Sequence, residues 1–131
     1  MTHADYAMTA LCLWREARGE GNTGMLAVAC VIRNRVQKHG STYFAQVVKP
    51  WAFSSITAHG DPQLTAFPTE SDMQWIQAQL IAGNVIDGGV NDITNGATLY
   101  YDDSISFPKS WNKDAVVNAG KIGRLNLFRE V

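Results

Sequence analysis

The segment LWREARGEGNTG, residues 13–24, sets two carboxylates, Glu16 and Glu20, four residues apart, with Arg15 and Arg18 around Glu16 and glycines at 19, 21 and 24. Glu16 falls near the C-terminal end of an amphipathic stretch, where the helix macrodipole disfavours a carboxylate relative to a carboxylic acid. Leu13 and Ala17 are its apolar neighbours, and desolvation acts in the same direction. A carboxyl that keeps its proton is what protonating a leaving-group oxygen requires. Arg15 and Arg18 oppose this by favouring the charged form. Glu20 stands about 5–6 Å from Glu16 if the helix runs on unbroken, and Gly19 argues against that. The residues alone leave a second reading open: an ordinary charged helix end, with both glutamates solvated and paired locally to arginine.

Elsewhere the chemistry-bearing residues are sparse. His3, His39 and His59 are scattered and form no ligand pair, so surface histidines are expected and no metal. No GxSxG, phosphate-cradling glycine loop or recognisable Cys–His pair is present, which removes most hydrolases of esters, nucleotides and peptides. The aromatics say more. Trp51 and Phe53 lie in one polar stretch, Tyr100 and Tyr101 in another, and Trp111 just beyond. Flat apolar faces ringed by Ser, Thr, Asn and Asp suit a sugar ring, although a small domain also uses such residues as half-buried core anchors. Trp14 and Trp75 sit inside helical patterns and are read as core.

Several elements have to position these groups. Tyr6, Ala10, Leu13, Trp14 and Ala17 recur at three- and four-residue intervals, predicting a helix over 4–17 that ends near Gly19. Asn22 or Thr23 is a candidate cap for a second helix, MLAVACVIRNRV, apolar on nearly every side and therefore central. The two form a hairpin that brings Cys12 and Cys30 to similar heights; a disulfide is geometrically open, but free thiols are expected. STYFAQVV is a short third segment stopped by Pro50. WAFSSITAHGDPQLTAF reads as a long surface excursion. Pro68 opens a fourth helix with a Met73, Ile76, Leu80 and Val85 stripe, ended by the glycines at 88 and 89. A loop or short strand around Thr98–Tyr101 and a weak final element complete a mainly helical single domain, 1–131.

Composition agrees with an ordinary globule: 46% hydrophobic, 18% charged, net charge −1 over 131 residues. Such a chain has no basic field to draw in nucleic acid. No stretch approaches the ~18–20 apolar residues that span a bilayer, and no signal peptide is read at the N-terminus.

WREARGEGNTGMLAVACVIRNRV resembles the opening motif of the SleB-type cell-wall hydrolases: GEARGE, a turn, a small-apolar helix and NRV. PWAFSS resembles that family's Pro-x-x-Phe-Ser segment, GATLYYDDSISFPKSW its Gly-Ala-x-x-Tyr-Tyr stretch with following Pro and Trp, and KIGRLNLF its closing Ile-Gly segment. The blocks run in order from about residue 7 to 128. The resemblance implies a compact lysozyme-like, lytic-transglycosylase-like helical fold and cleavage of the MurNAc–GlcNAc β-1,4 bond of peptidoglycan. It implies Glu16 as general acid and then base, and Glu20 as an assisting or structural carboxylate. Phe53, Ser54, Tyr100 and Tyr101 would line the glycan groove, with Trp111 there by position, and no cofactor is implied. Two departures stand out. Trp14-Arg15 replaces the usual aromatic and glycine before the glutamate, which would alter the groove wall, and RLNLF lacks the usual histidine.

A transglycosylase needs one carboxylic acid, whereas a hydrolytic muramidase needs a second carboxylate about 5–9.5 Å away; Glu20, Asp102 and Asp103 are the candidates. A non-catalytic glycan-binding module and a structural virion component are the readings from other classes. By analogy of architecture, a bare catalytic domain read as leaderless suggests a phage endolysin, made in the host cytoplasm and reaching the wall through a membrane lesion, and expected to be a monomer.

Overall fold

The computed structural model describes residues 1–50 and 52–131, and Trp51 lies outside the described residues. Helix α1 (His3–Ala17) begins with a capping box: the Thr2 side chain accepts from the Asp5 backbone, and the Asp5 carboxylate accepts from Thr2 N at 2.8 Å. The other Asp5 oxygen accepts from Phe44 N at 2.8 Å, tying the start of α1 to helix α3 (Tyr43–Val48). Two orphan helix-end donors are thus satisfied by one buried carboxylate. After α1, one 3-10 turn (Arg18–Glu20) leads directly into α2 (Gly21–His39). The predicted Asn22 or Thr23 cap is not used; α2 starts earlier, with Glu20 at the cap position and no side-chain cap bond.

As its sequence requires, α2 is the central element: Met25 and every residue from Ala27 to Ile32 are fully buried. It ends at Gly40, whose φ of 59° is the left-handed closing conformation that glycine adopts without a Cβ penalty. Helix α5 (Met73–Ile86) packs against both α1 and α2. It starts at the Asp72 cap rather than at Pro68, and its buried face is Ala78, Ala82, Val85 and Ile86. Met73 and Leu80, assigned to its inner stripe from sequence, are exposed. Small residues let α5 approach its neighbours closely, so the bulky positions turn outward. The excursion after Pro50 holds helix α4 (Ser54–Thr57) and a 3-10 turn (Pro62–Thr65).

The C-terminal part departs most from expectation. Strands β1 (Leu99–Asp102), β2 (Val116–Ile122) and β3 (Leu125–Glu130) form an antiparallel sheet in the order β1-β3-β2. Tyr100 pairs with Leu127 and Tyr101 with Asn126. Successive strand residues alternate faces, so Tyr100 shares the face of buried Leu125 and Leu127 against the helices. Tyr101 lies on the other face, stacked on Phe128 within a cluster that includes Phe107 and Trp111. No helix among the described residues is long and apolar enough to cross a membrane.

Candidate active site

A cleft of about 460 Å³ opens between the helical body and the sheet, lined by Glu16, Ser54, Tyr100, Tyr101 and Trp111, with Arg35 and Gln46 among its further walls. Glu16 reaches it from the last turn of α1 and Tyr100 from β1. The Tyr100 hydroxyl donates to Glu16 Oε1 at 2.5 Å, joining residues 84 positions apart. Burial, and next the negative charge of Glu16, push the Tyr100 phenol well above its ordinary value of 10.0, so it stays a donor. Burial likewise raises the Cys12 thiol, one turn before Glu16. Cys12 and Cys30 are both buried and free.

The arginines expected to pair with the glutamates are used otherwise. Arg15 donates to the carbonyls of Ala66, Ser55 and Leu64 and holds the excursion against α1. Arg18 lies over the Trp14 ring, 3.9 Å from its centroid, and donates to Trp14 O. Among the described residues neither Glu16 nor Glu20 has a cation within ion-pairing distance. Trp14 is buried with its Nε1 donating to Asp72, so the Trp14-Arg15 departure shapes the back of α1 and not the cleft wall.

Glu20 does not line the cleft. It occupies the turn into α2, where its side chain lies over Gly24 so closely that a Cβ there would collide with it. The 3-10 turn breaks the i, i+4 relation that a continuous helix would have given the two glutamates. Phe53 is also not on the surface of the cleft: it is 1% exposed and lies beneath it, 6.4 Å from the Tyr100 ring. Of the other carboxylates considered, Asp102 lines the cleft, while Asp103 pairs with Lys121 at 2.9 Å. No group of three His, Cys, Asp or Glu side chains gathers among the described residues in a way that could hold a metal.

Arg35 is a cleft residue that the sequence reading passed over. It is 9% exposed, donates from Nε to Thr98 O at 2.5 Å and lies 5.0 Å from the Phe53 ring centroid. Burial lowers its affinity for its proton. Its neighbour Asn34 donates to Ala97 O at 2.9 Å and to Asp92 and Thr94. The NRV block therefore clamps the backbone entering β1, the strand that presents Tyr100. A signal existed: Arg35 follows Val28, Val31 and Ile32 at helical spacing on the buried stripe, where a charge requires a partner. His39 and Glu130, 3.4 Å apart, also border the cleft.

A cell wall hydrolase family model matches residues 19–127, a span that begins just after Glu16. The catalytic domain of the germination-specific lytic transglycosylase SleB from Bacillus anthracis is similar in structure, with a TM-score of 0.73 and 27% identity over 99% of this chain and 97% of that one. The catalytic domain of the Bacillus cereus SleB protein gives 0.72 and 26% over 99% and 92%. No curated protein matches significantly. The mainly helical, lysozyme-like architecture implied by the sequence resemblance is the one found. With the family pattern running through most of its length, the chain belongs to the cell wall hydrolase family.

Proposed function

We propose that the protein cleaves the MurNAc–GlcNAc β-1,4 bond of peptidoglycan as a lytic transglycosylase, with Glu16 as its acid and then its base. The observation that carries this reading is the placement of Glu16 in the cleft, gripped by the Tyr100 hydroxyl at 2.5 Å. Family membership and the likeness to a domain described as a lytic transglycosylase support it.

Protonated Glu16 gives its proton to the glycosidic oxygen as the bond from that oxygen to C1 of MurNAc breaks. The C6 hydroxyl of the same MurNAc attacks C1 and returns its proton to the Glu16 carboxylate, leaving a 1,6-anhydro-MurNAc end and a free GlcNAc 4-hydroxyl. Glu16 is thereby restored, and no water is consumed. The Tyr100 hydrogen bond fixes which oxygen of Glu16 faces the bond. Ser54, Tyr101 and Trp111 contact the glycan; Phe53 supports Tyr100 from beneath, and Glu20 holds the turn. The cleft also contains Asp102 and Glu130, which favours a hydrolytic muramidase as the second reading.

Clearing of purified peptidoglycan by wild type and by Glu16→Gln tests the role of Glu16. Loss of a general acid is expected to lower the rate roughly 10²–10⁴-fold; equal clearing would point to a non-catalytic glycan-binding module with contaminating activity. By analogy of architecture, we further propose a monomeric endolysin acting on the wall after membrane permeabilisation. Cytoplasmic expression should lyse cells only when a membrane-permeabilising protein is co-expressed, and lysis without one would contradict it.

A further inference from the structure

The cleft contains a cation, Arg35, with no carboxylate in contact with it; Glu130 and Glu16 act on its charge only from a distance. Arg35 is nine-tenths buried, and its protein contacts use Nε, on Thr98 O, and one face, over Phe53. Among the described residues its two terminal nitrogens donate to no protein group, and no carboxylate lies within 4.0 Å of it. A mostly buried guanidinium whose terminal nitrogens open onto the cleft with no carboxylate in contact is set to accept an anion there. Lys49 borders the same cleft and is also without a carboxylate partner among the described residues. His39, also on the rim, is already engaged by Glu130. The remaining charged groups bordering the cleft, Glu16, Asp102 and Glu130, are acidic and repel an anion from the rest of it.

We propose that Arg35 and Lys49 form a carboxylate-recognition subsite, which binds a carboxylate of the peptide stem, or the lactyl carboxylate of a muramic acid that carries no stem, and so sets the register of the glycan over Glu16. This rests on peptidoglycan being the substrate and adds which substituent is read. The planar fork of Arg35 matches a carboxylate with two parallel N–H donors, while exposed Lys49 contributes a point charge from the rim. The subsite positions substrate and takes no part in the proton transfers.

The test uses wild-type protein on three preparations: native strands, strands whose carboxylates are amidated with carbodiimide and ammonia, and strands stripped of stems by an amidase, which retain the lactyl carboxylate. Amidated strands are expected to be cleaved with kcat/KM lowered about tenfold, chiefly through KM, the size of one charge-assisted contact in a partly open site. Stripped strands that behave like native ones show that the lactyl carboxylate, freed when the stem is removed, takes the place of a stem carboxylate in the subsite; stripped strands that behave like amidated ones restrict the subsite to carboxylates of the stem. Arg35→Gln should treat native and amidated strands alike, with Arg35→Lys recovering part of the discrimination. Lys49→Gln should narrow the difference if Arg35 variants fail to fold. Equal kcat/KM of wild type on native and amidated strands overturns the subsite while leaving the activity standing. Co-sedimentation of Glu16→Gln with native and amidated sacculi reads the subsite without turnover, and equal binding overturns it even where no strand is cleaved.

Discussion

Tyr100→Phe removes one oxygen and leaves the ring in its place between Phe53 and the β3 residues. What it deletes is the 2.5 Å hydrogen bond to Glu16. A hydrogen bond to a charged group contributes about 1.5–3 kcal/mol, and Glu16 borders an open cleft where water replaces part of the loss. The lower half of that range applies, which puts kcat/KM about tenfold to fortyfold below wild type. Folding should change little, because Glu16 borders the cleft, whose water can take the place of the lost donor, and the apolar contacts of the ring survive. A thermal midpoint within a few degrees of wild type is expected, since about 1 kcal/mol moves a domain of this size by that much. The assay pairs steady-state release of soluble muropeptides with a melting curve on the same preparation. Wild-type kcat/KM from a normally folded Tyr100→Phe would refute the claim that this bond orients the acid.

Alkaline pH should destabilise the fold. Cys12, Cys30 and Tyr100 all hold their protons more tightly when folded, from ordinary values of 9.0, 9.0 and 10.0, chiefly because they are buried. The unfolded chain therefore binds fewer protons above about pH 9, and stability that is full below that pH falls as it rises. Urea midpoints that stay level up to about pH 10.5 would contradict this. Asn34→Ala removes the bonds to Ala97, Asp92 and Thr94 and should cost about 1–3 kcal/mol, with activity falling further than stability because β1 carries Tyr100; an unchanged denaturation midpoint would show that the clamp is dispensable. EDTA should leave the rate of clearing unchanged, and inhibition reversed by an added divalent ion would reveal a metal requirement.

The helical half was legible because its signals are local. The spacing of Leu13, Trp14 and Ala17 and the glycines after them set the end of α1, and the unbroken apolar run of α2 announced a central helix. The sheet was not, because β2 carries no clean alternation: Asn118 and Lys121 are exposed, a register shift falls between Asn118 and Gly120, and its partner β3 supplies the apolar side. In α5 the rule that large apolar residues face inward failed against close helix packing, which selected Ala78 and Ala82. Glu16 could be singled out from its position at a helix end, but its partner lies 84 residues away and nothing local indicates that bond. Polar neighbours in the sequence and the family resemblance both point Phe53 toward the groove, whereas its burial comes from the approach of Arg35 and Tyr100, which are distant in sequence.

The proposed reaction depends on one acid acting without water. Mass spectrometry of muropeptides released from purified peptidoglycan by wild type and by Glu16→Gln in parallel tests that most directly. Anhydro-muramyl ends from wild type, with Glu16→Gln yielding almost none, are the predicted result. Reducing muramyl ends from wild type, or undiminished product from Glu16→Gln, would contradict it.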